Sequence, residues 1–124
     1  MPNENVDYEA SDLAARIEQL SQHDIDNLPF GVVRLDRDGV VQFYSATEAR
    51  LSGYGEAPLG LNFFEVSRCA GKGDFKARIV KAQEEGRVDL ELAFPGDYAN
   101  PLRELRIRVQ SARQGGVWLF VQRD

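Results

Sequence analysis

The stretch Leu28–Gly53 reads LPFGVVRLDRDGVVQFYSATEARLSG. Two runs rich in β-branched and aromatic residues, Leu28–Asp36 (LPFGVVRLD) and Val40–Tyr44 (VVQFY), flank Arg37-Asp38-Gly39. Glycine tolerates the positive φ that a tight hairpin demands, so Asp-Gly between two such runs predicts an antiparallel strand pair. The chain then turns at once into Ala46–Leu51, which reads as a short helix stopped by Gly53.

Outward from this core the pattern stays readable. Toward the N-terminus, residues 1–10 are polar and read as a loose arm. Ser11 is a candidate N-cap for a short helix with Leu13, Ile17 and Leu20 at i, i+4, i+7 spacing. A further helical turn over His23–Asn27 is punctuated by Pro29. Toward the C-terminus, Asn62–Val66 suggests another helical turn. Asp74–Glu85 reads as the longest helix, with Asp74 as N-cap, Phe75, Ile79 and Ala82 on one face and Gly86 as the stop. The period then changes to two. Val88, Leu90, Leu92 and Phe94 alternate with Asp89, Glu91 and Ala93, and Leu105, Ile107 and Val109 alternate with Arg106 and Arg108. Gly115-Gly116 turns the chain into Val117–Gln122 (VWLFVQ), apolar on both faces and so expected as a covered central strand. The order implies an α+β fold, a five-stranded antiparallel sheet with helices, in the layout of a PAS domain. Residues 1–27 would form an N-terminal helical cap and 28–124 the PAS-like domain, together one globular unit.

Composition narrows the function. The chain has 124 residues, 43% of them hydrophobic, and 20 Asp+Glu against 15 Lys+Arg for a formal charge of −5. A net negative field repels phosphate backbones and anionic lipid, which argues against nucleic-acid and membrane partners. The opening MPNENVDYEASDL lacks a basic, then apolar, leader, and a single cysteine is expected as a free thiol in the cytoplasm. His23 is the only histidine, so neither a multi-ligand metal site nor a His-based catalytic pairing is expected, and no enzyme.

Three side chains stand out. Cys69 lies in Ser67-Arg68-Cys69-Ala70-Gly71-Lys72-Gly73, after the aromatic pair Phe63-Phe64. A lone cysteine commonly serves as a small buried hydrophobe, whereas Arg68 and Lys72 nearby could favour the thiolate, the form that attacks an activated acyl group. Tyr44 and Glu48 stand four apart and could converge on one point; the plainer alternative is a half-buried strand tyrosine and a solvated helix glutamate.

The chain resembles the photoactive yellow protein family over most of its length. The matching segments are Leu28-Pro29-Phe30-Gly31 leading to Leu35-Asp36-Arg37-Asp38-Gly39, Tyr44 with Glu48, Ser52-Gly53, Gly60-Leu61-Asn62-Phe63-Phe64, Cys69 with Phe75, Asp97-Tyr98, and Trp118–Arg123. Each is modest alone; their order and spacing carry the signal. The resemblance implies a blue-light photoreceptor with p-coumaric acid (4-hydroxycinnamic acid) held as a thioester on Cys69. It implies that Tyr44 and Glu48 hydrogen-bond the buried phenolate, that Ser52 supports Tyr44, and that Tyr54, Phe64, Phe94 and Tyr98 contribute to the pocket. It also implies output to a downstream signalling protein, unidentified from the sequence, with the chain a monomer or weak dimer. Tyr54 stands where the family often has arginine, and Gly96 where it often has an aromatic residue. The runner-up is a PAS sensor binding another small ligand non-covalently, with Cys69 structural.

Overall fold

The first hairpin is closed by its own turn. Gly39 N donates to Asp36 O at 3.1 Å, Asp36 Oδ1 accepts from Asp38 N and Val40 N, and Gly39 has φ 88°. This turn joins β1 (Gly31–Leu35) to β2 (Val41–Tyr44), antiparallel, with Val33 opposite Tyr44 and a register shift between Arg34 and Leu35. The computed structural model describes the backbone of residues 7–52, 59–63, 75–95, 104–113 and 115–123, and the side chains of these except 51, 52, 75, 76, 93–95, 104, 105 and 123.

The remaining elements are α1 (Leu13–Ile17), α2 (Gln22–Asp26), α3 (Ala46–Ser52), α4 (Phe75–Glu84), β3 (Asp89–Pro95), β4 (Glu104–Ser111) and β5 (Val117–Arg123). The strands form one antiparallel sheet in the order β2-β1-β5-β4-β3. The strand expected as central is central: Val117 to Val121 are all buried, between β1 and β4. The α+β, five-stranded antiparallel reading therefore holds.

Strand alternation sorts the apolar side chains onto two faces. Val33, Leu35, Ile107, Val109, Val117, Leu119 and Val121 meet Ile79 and Ala82 of α4, together with Phe63. Val32, Trp118 and Phe120 meet Leu13, Ala14 and Ile17 of α1, Ile25 of α2, and Tyr8, Leu28 and Phe30. Burying each large side chain contributes about 1.5–3 kcal/mol. Gly86 ends the α4 region at φ 96°, as its position predicted; Asp74 lies outside the described residues.

The N-terminal segment departs from the expectations in detail. Asp12, not Ser11, occupies the N-cap position of α1, and its side chain makes no capping bond. Gln110 of β4 serves instead, its Oε1 accepting from Ala14 N at 2.8 Å while its Nε2 donates to Ser11 O at 3.1 Å. α2 begins at Gln22, with Ser21 Oγ accepting from Asp24 N as its cap.

Candidate functional site

Tyr44 ends β2 and packs partly buried against the core on the α4 side of the sheet. The chain turns into α3 at Ser45, which is fully buried and bonded on three sides. Ser45 N donates to Val32 O at 2.8 Å, and Ser45 Oγ accepts from Val32 N at 3.0 Å and from Glu48 N at 3.1 Å. Ser45 is thus the N-cap of α3, and Ser45-Ala46-Thr47-Glu48 has the Ser-x-x-Glu spacing of a capping box. Thr47, also buried, places its hydroxyl 2.9 Å from Asp26 O and 2.8 Å from Leu28 O, and Asp26 Oδ1 accepts from Ala46 N at 2.8 Å. The first turn of α3 is therefore fixed both to β1 and to the end of α2.

Glu48 rides on this turn and is only 5% exposed. It is no solvated helix glutamate. Its side chain lies over the backbone of Gly31: a Cβ there would come within 2.8 Å of Glu48 Cδ. Strand alternation gives Gly31 the same side of the sheet as Val33 and Leu35, the core on which Tyr44 packs. The structure thus brings Tyr44 and Glu48 to one face of the sheet at the β1–β2 margin. Glu48 is buried and Tyr44 half-buried, and the interior tolerates such polar groups only where they are hydrogen-bonded.

The other candidates are placed less fully. Ser52 ends α3 one turn after Glu48, and Phe94 lies in β3 opposite Leu105; the side chains of both are outside the described residues. Tyr54, Phe64, Cys69 and Tyr98 lie outside them altogether, as does the expected helical turn beyond Phe63. His23 is exposed on α2, with Nε2 3.3 Å from Asn27 Nδ2. Among the described residues no group of three or more His, Cys, Asp or Glu could hold a metal, and no helix is long and apolar enough to cross a membrane. Ser45, Thr47, Asp26 and Gly31 were not anticipated as site residues. The Ser-x-x-Glu spacing was the signal for Ser45; nothing in the sequence pointed to Asp26.

No protein-family model matches the chain. Structural comparison does. The PAS domain of HTR-like protein from Haloarcula marismortui superposes with a TM-score of 0.58 over 83% of this chain and 93% of its own, at 19% identity. The protein accordingly has the PAS fold. The photoactive yellow protein domain of the sensor histidine kinase Ppr from Rhodospirillum centenum is more similar, with a TM-score of 0.71 and 32% identity over 86% of this chain and 95% of that one. The photoactive yellow protein of Cereibacter sphaeroides is 31% identical over 99 residues, 77% of this chain and 80% of the relative. The chain belongs to the photoactive yellow protein family, a family of PAS-fold photoreceptors.

Proposed function

We propose that this protein is a blue-light photoreceptor carrying p-coumaric acid as a thioester on Cys69. The observation that carries the reading is the interior Glu48 carboxyl, 5% exposed, on the same core face as Tyr44. A phenolate suits both groups, because a phenol and a neutral carboxyl can each offer a donor to an anionic oxygen. Membership of the family supports the choice of ligand.

Each residue then has a defined task. Cys69 Sγ would take the p-coumaroyl group from an activated acyl donor, displacing that donor's leaving group, which departs with the thiol proton, and its peptide N–H would hold the thioester carbonyl oxygen. Tyr44 Oη would donate to the phenolate oxygen, and Ser52 Oγ would hold Tyr44. Beside such an anion a buried carboxyl favours its neutral form, so Glu48 would donate its proton as a hydrogen bond to the phenolate. Tyr54, Phe64, Phe94 and Tyr98 would exclude water around the ring, as the family resemblance implies. When bound, the group supplies the visible absorption and a double bond that light isomerises. Loss of the dark geometry would let Glu48 pass its proton to the phenolate oxygen, leaving a buried carboxylate that has lost its hydrogen bond to the ring oxygen. That destabilises the local packing by several kcal/mol and drives rearrangement. The protein is a sensor rather than an enzyme, and passes its signal to another protein in the cytoplasm. The relative from Rhodospirillum centenum is part of a sensor histidine kinase, so a kinase-type signalling protein is a consistent partner.

Flash spectroscopy of protein loaded with activated p-coumaric acid tests this. A blue-region band should bleach on the flash and recover in the dark. A protein that stays colourless after loading, or binds reversibly without covalent mass, points instead to a PAS sensor for another ligand.

A further inference from the structure

Among the described glycines, Gly39, Gly60, Gly86, Gly115 and Gly116 have positive φ, which by itself accounts for them. Gly31 does not. It opens β1, pairs with Val121 of β5, and has no positive φ. Glycine at such a position weakens a strand, because it gives up packing and costs extra chain entropy. Its reason lies directly above it. A Cβ at Gly31 would fall 2.8 Å from Glu48 Cδ, 3.0 Å from Glu48 Cβ, and closer still to Oε1.

The backbone of Glu48 is poorly able to yield. Its N–H is held by Ser45 Oγ at 3.1 Å, Ser45 is bonded twice to Val32 beside Gly31, and Thr47 is tied to Leu28 O at 2.8 Å. Strand and helix turn are therefore fixed relative to each other, and an added methyl must be accommodated by the Glu48 side chain. We propose that Gly31 is a positioning residue whose missing side chain is the seat of the Glu48 carboxyl. Any side chain there drives the carboxyl away from the phenolate. The proposal rests on the reading of Glu48 as the phenolate's hydrogen-bond partner.

The test compares the parent, Gly31→Ala, Glu48→Ala and the double variant, first as full-length apoprotein. Gly31→Ala should lower the melting temperature by roughly 5–10 °C in the parent. In the Glu48→Ala background the same change should cost much less, since the carboxyl is gone and only the 3.0 Å contact with the Cβ at position 48 remains, while alanine loses less entropy on folding. If Gly31→Ala does not fold alone, recovery of folding in the double variant carries the same meaning. Equal losses in both backgrounds, or a double variant that also fails to fold where Glu48→Ala folds, overturn the proposal. The second arm uses protein loaded with activated p-coumaric acid. Gly31→Ala should move the absorption band in the same direction as Glu48→Gln; an unmoved band reduces Gly31 to packing alone and overturns the positioning role. A parent that takes up no chromophore defeats the proposed function, and the thermal comparison then decides the seat by itself.

Discussion

Ionisable side chains in the interior are rarely fully buried without a task, and Glu48 is the clearest example here. Its main chain completes the N-cap of α3, yet its carboxyl lies over Gly31 rather than in solvent. If the carboxyl donates to a phenolate, an amide should replace it imperfectly, because an amide N–H is a weaker donor than a neutral acid. Glu48→Gln should therefore retain the chromophore, absorb at longer wavelength, and require solvent to protonate the phenolate oxygen after a flash. Absorption spectra and a pH series of the bleached state check both parts. An unchanged spectrum would place Glu48 away from the chromophore. The four-residue spacing of Tyr44 and Glu48 suggested convergence, but it could not separate an interior carboxyl from a solvated one. That distinction depends on Gly31, thirteen residues before Tyr44 and legible only once β1 lies beneath α3.

The elements themselves were largely legible, because their signals are local. Asp38-Gly39 fixed the first hairpin, alternation fixed β3 and β4, and the doubly apolar VWLFVQ fixed β5 at the centre. The anchoring of α1 was not, because it comes from a distant strand. Leu13 and Ile17 give it an apolar face, but Gln110 satisfies its N-terminus from 96 residues away. Trp118 Nε1 and Arg113 N both donate to Glu18 Oε2, at 2.9 and 2.8 Å. A cap held only by Leu13, Ile17 and Leu20 would be thinly attached; this one has polar ties to β4, to β5 and to the turn between them. Gln110→Ala removes the partner of Ala14 N, a donor at a buried helix start. Urea denaturation should show a loss of about 1–3 kcal/mol, the cost of leaving such a group unsatisfied. A loss within experimental scatter would mean that water or another residue takes over the bond.

At the scale of the whole molecule, the residues just before α1 extend the anchoring across the same face of the sheet to β3. Tyr8 is buried against Phe30, its hydroxyl donates to Glu91 Oε2 at 3.1 Å, and Arg108 Nη1 donates to Tyr8 O and Ala10 O. The guanidinium of Arg106 lies 5.3 Å from the Tyr8 ring centre and bridges Glu9 and Glu91, each at 2.9 Å. Burial first, and the Glu91 charge second, push the Tyr8 hydroxyl well above the usual tyrosine range. The neutral phenol is thus favoured in the folded state, so its contribution is complete below about pH 10 and is lost progressively as pH rises beyond it. The melting temperature of the parent should fall more steeply above about pH 10 than that of Tyr8→Phe, with the two running parallel at neutral pH. Parallel curves throughout would remove Tyr8 from the alkaline transition.

The proposed function turns on one thiol, Cys69, which would make this PAS fold a light sensor. The most direct test is the intact mass and absorption spectrum of the parent and of Cys69→Ala after mixing each apoprotein with activated p-coumaric acid. The parent should gain the mass of one coumaroyl group and a blue-region band, while Cys69→Ala stays folded, unmodified and colourless. A parent that gains no mass, or a Cys69→Ala protein that retains both colour and covalent mass, would contradict the account.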